Sequence, residues 1–166
     1  MFYENIFNVF NNHNVKYLVV GGVAINLLGI PRSTADLDIF VDLAEDNLKK
    51  IIDILIELEF KPRLPIPPRD ILDEKKRTEW INEKNLFAFT FYNAKKTYQE
   101  LDILLGASLN FTLAWARKTT VKAGDISIPV ISVSDLIALK KVAGRKQDIS
   151  DIKALRQLEE INGGGD

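Results

Sequence analysis

The sequence predicts an α/β chain in which helices flank one mixed, mostly antiparallel sheet. Three observations lead there. Residues 36–41, 86–92 and 97–105 alternate their apolar side chains at the period of a strand. Residues 2–10 and 45–59 space theirs at the period of a helix, the second with Leu48, Ile51, Ile52, Leu55 and Leu58 on one side. Finally, 46% hydrophobic content in 166 residues is enough for one core. One domain over residues 1–162 is therefore expected, with Gly163-Gly164-Gly165-Asp166 as a flexible tail.

In chain order, residues 2–10 form a first helix beneath a strand at residues 16–20. Gly21-Gly22 is a turn into a short buried helix over residues 23–28, which Gly29 closes, and Pro31 forces a loop. The second strand leads into the amphipathic helix at 45–59. Four prolines in residues 61–69 exclude regular helix or central strand and give a stiff connector. Residues 71–84 form a surface helix with Trp80 and Ile81 turned inward. Phe87, Phe89 and Phe91 form one side of a strand and belong to the core. Asn93-Ala94-Lys95-Lys96 turns into a partner strand, residues 97–105, with Leu101, Ile103 and Leu105 on one face and Glu100 and Asp102 on the other. A helix at 111–117 and strands at 119–122 and 126–131 follow. Ser134 caps a helix over 136–142, Gly144-Arg145 breaks it, and the last helix starts at Gln147.

Composition removes several chemistries. The chain has no cysteine, so it has no disulfide, thiolate zinc site or cysteine nucleophile. Its one histidine, His13, lies in the polar turn Asn11-Asn12-His13-Asn14 and reads as a solvated residue. No apolar run reaches membrane-spanning length, and the first residues lack the basic start and apolar stretch of a secretory leader, so a cytoplasmic protein without membrane contact is expected. The net charge of −1 hides an uneven distribution: residues 1–60 hold 4 basic and 9 acidic side chains, residues 111–156 hold 9 and 4. Solvated helix faces give such asymmetry, and so does an acidic metal site facing a basic wall.

The most informative stretch is residues 17–42. Asp36, Asp38 and Phe40 share one face of the second strand, while Leu37, Ile39 and Val41 share the other and anchor it. Carboxylates held this close repel, and a divalent cation between them removes the conflict. Gly21-Gly22 lets the backbone approach a ligand, and the N–H groups of the helical turn that follows suit a phosphate. Metal and phosphate together indicate nucleotide chemistry. Residues 100–105, Glu-Leu-Asp-Ile-Leu-Leu, repeat the logic of Asp-Leu-Asp-Ile-Phe-Val.

The order apolar strand, Gly-Gly, Arg32-Ser33-Thr34, Asp-Leu-Asp-Ile resembles the signature of the nucleotidyltransferase superfamily typified by DNA polymerase beta. The wording GGVAINLLGIPRSTADLDIFV is most similar to its abortive-infection toxin branch, the nucleotidyltransferase-type toxins of bacterial toxin–antitoxin pairs. LKKVAGRKQDISDIKAL, residues 139–155, is similar to the last motif of that branch: a lysine, an arginine, then two acids three apart. The resemblance implies a nucleotidyltransferase-like fold and metal-dependent transfer of a nucleotidyl group from a nucleoside triphosphate to an acceptor hydroxyl, on RNA, a tRNA end or a protein. It implies magnesium or manganese held by Asp36, Asp38 and Asp102, the third acid of the superfamily, for which Glu100 on the same face is the alternative. Phosphates would meet Gly21, Gly22, Arg32, Ser33, Thr34, Lys140 and Arg145, with Lys140 also catalytic. Asp148 and Asp151 either join the site or orient Lys140 and Arg145. Many relatives have serine at the place of Gly22. A cognate antitoxin is the implied partner. The competing reading is a catalytically silent nucleotide-binding regulator or antitoxin-like partner.

Overall fold

A computed structural model of the chain describes residues 3–163. Its seven strands are β1 (Tyr17–Val20), β2 (Leu37–Val41), β3 (Phe60–Pro62), β4 (Ala88–Asn93), β5 (Glu100–Leu104), β6 (Thr119–Ala123) and β7 (Ile126–Val130). They form one sheet in the order β3-β4-β5-β2-β1-β7-β6. β1 pairs parallel with β7, and β2 pairs parallel with β5; the other four pairings are antiparallel. The fold is thus the mixed, mostly antiparallel α/β architecture expected from the sequence.

The helices are α1 (Glu4–Asn12), α2 (Gly21–Leu27), α3 (Glu45–Glu57), α4 (Glu74–Lys84), α5 (Phe111–Ala116), α6 (Val133–Ala143) and α7 (Lys146–Gly163), with a short 3-10 helix at Pro68–Leu72. α1 buries Phe7 and Phe10 completely, Phe7 stacked on and Phe10 edge-on to the buried ring of Tyr17 on β1. α3 buries Leu48, Ile51, Ile52 and Leu55 as its spacing predicts. All four β1 residues are buried, as expected of a strand covered on both faces. Among the described residues no helix is long and apolar enough to cross a membrane.

Several boundaries differ from expectation, each for a local reason. Gly21-Gly22 is the first turn of α2 itself rather than a separate turn before it. The strand expected from residue 97 starts at Glu100, because the hairpin turn extends through Tyr98. The proline-rich connector contributes a short edge strand, β3, where a proline such as Pro62 needs no ladder partner for its missing N–H, followed by the 3-10 helix, which takes Ile71. The cap of α6 is Ser132, whose hydroxyl accepts from the Asp135 N–H at 3.2 Å, and Ser134 lies inside the helix. Of the expected tail, Gly163 ends α7, and residues 164–166 lie outside the described residues.

Candidate active site

The site assembles where β1, β2 and β5 lie side by side. Val20 ends β1 opposite Asp38, and Asp38 is in register with Asp102 on β5. In parallel neighbours a register match puts the two side chains on the same face, so the two carboxylates flank each other. Thr90 stands opposite Asp102 on β4 and donates its hydroxyl to Asp102 Oδ1 at 2.5 Å. Glu100, the alternative third acid, faces Tyr92 instead, and its carboxylate is taken by the Arg63 guanidinium. Asp36 lies just before β2.

Electrostatics marks these acids as a strained group. Burial, then the charge of Asp102, a hydrogen bond with it, and the charge of Asp36 push the Asp38 carboxyl up to about 7 against the pull of Lys140. Burial and Asp102 also raise Asp36, opposed by the Arg63 charge. Tyr3, at the start of the chain, donates its hydroxyl to the Ala35 carbonyl, with the Glu100 carbonyl at 3.2 Å. Burial and the charges of Asp36 and Asp38 push its phenol up to about 12, so it stays a neutral donor.

Asp38 gives a pH prediction. A raised acid makes the native state bind more protons than the unfolded chain between about pH 4 and about pH 7, so stability falls as pH rises through that window. Asp148 and Asp151, whose carboxyls lie below the usual range, act in the opposite sense only below that window. Metal-free protein is expected to melt a few degrees higher near pH 5 than near pH 8, and Asp38→Asn to flatten the difference, as thermal unfolding across pH would show.

Gly21 and Gly22 bring the start of α2 against these acids. Gly21 has φ +66°, and a Cβ there would lie 2.9 Å from Asp38 Cγ. A Cβ on Gly22 would run into the Arg32 guanidinium and lie 2.6 Å from Thr34 Oγ1. The space a serine side chain would need at Gly22 is filled by Arg32 and Thr34. Gly22→Ser is expected to cost about 1–3 kcal/mol of stability, a drop of several degrees in melting temperature. Differential scanning calorimetry measures it.

The basic residues are held by acids of the last helix. Lys140 is 5% exposed, with Nζ 2.9 Å from Asp151 Oδ2 and 3.4 Å from Asp148 Oδ1. Arg145 donates its backbone N–H and Nε to Asp148 Oδ2 at 3.0 and 2.8 Å, and Arg32 donates Nε to Asp151 Oδ1 at 3.1 Å. Burial opposes ionisation of both acids, but for Asp148 the hydrogen bonds from Arg145 and the charges of Arg145 and Lys140 prevail. For Asp151 those of Lys140 and Gln147 and the charge of Arg32 do. The two acids therefore orient three cations, and among the described residues no buried side-chain polar atom lacks a partner.

A cleft of about 580 Å³ joins the halves. Gly21, Asp38 and Asp102 face Lys140, Arg145 and Asp148 across it, with Phe87, Leu104, Leu136, Leu139 and Val142 as its apolar part. Gly22, Arg32, Thr34 and Asp36 stand outside that lining, and Ser33 is exposed away from it. Phe87, expected in the core with Phe89 and Phe91, is 52% exposed at the cleft, because β4 begins one residue after it. Alternation alone does not show where a strand loses its cover. Thr90, Tyr3 and Arg63 carried no signal in the sequence, since each reaches the acids from a distant segment.

Among the described residues no three His, Cys, Asp or Glu side chains converge in a ready metal cage. The donor set nonetheless fits a hard divalent cation: the paired carboxylates of Asp38 and Asp102 offer oxygen ligands, Asp38 with raised proton affinity, and the chain has no cysteine to supply sulfur.

A profile of the family described as nucleotidyl transferase AbiEii toxin, type IV TA system, matches residues 7–163. A search of curated proteins finds no match. Among solved structures, the lincosamide antibiotic adenylyltransferase LnuA, lincomycin-bound, superposes with a TM-score of 0.62 at 19% identity, covering 93% of this chain and 94% of that one. ANT(2")-Ia in complex with adenylyl-2"-tobramycin gives 0.58 at 12% identity, over 96% and 91% of the two chains. A putative nucleotidyltransferase from Thermotoga maritima gives 0.52 at 15%, over 92% and 87%. At these identities the likeness is one of fold.

Proposed function

We propose, since the chain belongs to the AbiEii family of nucleotidyltransferase toxins of type IV toxin–antitoxin systems, that it acts as one domain that moves a nucleotidyl group from a nucleoside triphosphate to an acceptor hydroxyl. The observation that carries this reading is the cleft in which Asp38 and Asp102 face Lys140 and Arg145. Acids on one wall and cations on the other suit a polyphosphate whose reacting phosphorus lies at the acids.

Asp36, Asp38 and Asp102 would hold the magnesium or manganese, which when bound supplies positive charge at the transferring phosphoryl group and lowers the pKa of the acceptor hydroxyl. Lys140 and Arg145 neutralise the β- and γ-phosphates as pyrophosphate charge develops. Gly21 and Gly22 let the backbone approach the triphosphate, and Arg32 and Thr34 fix the turn that does so. Phe87 and Val142 offer apolar surface at the cleft mouth for the nucleobase. The acceptor oxygen bonds to the α-phosphorus while the bond to the bridging oxygen breaks; pyrophosphate leaves with that electron pair, and the hydroxyl proton goes to solvent. A cognate antitoxin is the partner that would restrain this activity.

Incubation with α-labelled triphosphates, magnesium or manganese, and total RNA or total protein tests the reading. Label transfer with pyrophosphate release is expected. Triphosphate binding without pyrophosphate release under any acceptor would instead make the chain a silent nucleotide-binding regulator.

A further inference from the structure

The sheet fixes Asp38 and Asp102 by register but stops short of Asp36. The ladder between β2 and β5 begins with Leu37 opposite Leu101, one residue after Asp36. Residues 30–36 have no regular structure. An aspartate at the end of such a stretch loses backbone freedom on taking one position, so something must hold it there.

The Tyr3 hydroxyl holds the backbone on both sides of it. It donates to the carbonyl of Ala35, the residue before Asp36, and takes a hydrogen bond from the backbone of Leu37, the residue after. The Glu100 carbonyl lies 3.2 Å from the same oxygen, so the phenol also bridges the start of β2 to the start of β5, where their ladder opens. One side chain thus satisfies the backbone groups that further ladder bonds would have satisfied.

Tyr3 is itself held. It is 4% exposed, its carbonyl accepts the Phe7 N–H at 3.0 Å at the start of α1, and Phe7 is stacked on Tyr17 of β1. A path of packed contacts runs from the core through α1 to the backbone of Asp36. The charges of Asp36, Asp38 and Asp102 all reach the phenol, which places it against the acid group.

We propose that Tyr3 is a positioning residue whose hydroxyl sets the Asp36 carboxylate beside Asp38 and Asp102 and so completes the divalent-metal site; this rests on the transfer reading above. The role needs the hydroxyl and not only the ring. Phenylalanine would fill the same space but release Ala35 and Leu37, and Asp36 would then sample the conformations of a loop end. Contacts that orient a metal ligand in this way typically account for about tenfold to a hundredfold in metal affinity.

The test is binding of manganese alone, followed by electron paramagnetic resonance of the free ion, to wild type, Tyr3→Phe, Asp36→Asn and the double variant. Tyr3→Phe is expected to weaken manganese binding about tenfold. Added to Asp36→Asn, it is expected to weaken it by less than about twofold, since the acid it positions is already gone. Stability should not follow that pattern: Tyr3→Phe should lower the melting temperature by a few degrees in either background. Triphosphate binding in chelator, which falls to Lys140 and Arg145, should stay within about twofold. Equal manganese affinity in wild type and Tyr3→Phe overturns the role. So does an equal loss in both backgrounds, which would make Tyr3 a packing residue that acts on the site as a whole. Should Tyr3→Phe not fold, Asp36→Glu decides: a pinned backbone carries the longer carboxylate past its place and should lose about tenfold in manganese affinity, whereas wild-type affinity overturns the pin. If the double variant behaves as expected while no acceptor yields pyrophosphate release, the transfer reading fails and Tyr3 keeps its role. If wild type releases pyrophosphate and Tyr3→Phe binds manganese unchanged, the reverse holds. Wild type that binds no manganese overturns the role as well.

Discussion

Asp38→Asn is expected to lower pyrophosphate release by at least about a hundredfold to a thousandfold while the protein stays folded. The substitution keeps the shape of a side chain at the centre of the acid group, in register with Asp102 and opposite Val20. It removes a negative charge with which the proposed divalent cation would be held. Stability should move the other way. Burial and the neighbouring acids raise the proton affinity of Asp38, so an uncharged amide relieves repulsion, and the metal-free variant should melt at or above wild type. Wild type should gain several degrees from manganese with a triphosphate, and the variant should lose most of that gain. Pyrophosphate release equal to wild type would remove the acids from the reaction.

Lys140→Met is expected to destabilise the fold by about 3–5 kcal/mol, on the order of 10 °C in melting temperature, and to abolish transfer. Its ammonium lies between two buried carboxylates, Asp148 and Asp151, at 3.4 and 2.9 Å. Removing it leaves two acids out of water with less charge to balance them. Arg145, with its side chain 74% exposed, should behave differently: Arg145→Ala should cost little stability and act on triphosphate affinity. Combining Lys140→Met with Asp151→Asn should recover part of the loss, and a double-mutant cycle by denaturant unfolding measures the coupling. A Lys140→Met protein that melts within a degree of wild type would show that the network carries no stability.

Much of this site is visible in the sequence because its acids obey the period of a strand. Asp36 and Asp38 alternate with Leu37 and Ile39, and Glu100 and Asp102 alternate with Leu101 and Ile103, so both wet faces follow from local pattern. Their adjacency does not. β2 and β5 pair in parallel across a crossover of two α-helices, a 3-10 helix and two strands, and nothing local states that Asp38 meets Asp102 rather than Glu100. The β2–β5 register makes the choice, and Arg63, from a stretch whose prolines marked it only as a connector, takes Glu100. Caps show the same limit at shorter range: Ser132 and Ser134 are equally able to accept, and the extended backbone of Ser132 just before the helix selects the first. Arg32 is one of three polar residues in a row. That it reaches Asp151, that Thr34 packs at Gly22, and that Ser33 turns to solvent are decided by packing against α2 and α7.

The ion chain Arg145–Asp148–Lys140–Asp151–Arg32 ties together residues more than a hundred positions apart. Synthesis delivers a chain from its N-terminus, and contacts between distant segments wait for the later one. The acids of β2 and the start of α2 thus leave the ribosome long before the carboxylates that let Lys140 stay charged inside the protein. Until residue 151 has emerged, Lys140 lacks its counter-charges and the cationic wall of the cleft has no fixed shape. Lys140 thus gains its counter-charges, and the cationic wall its fixed shape, only once the last helix has been made.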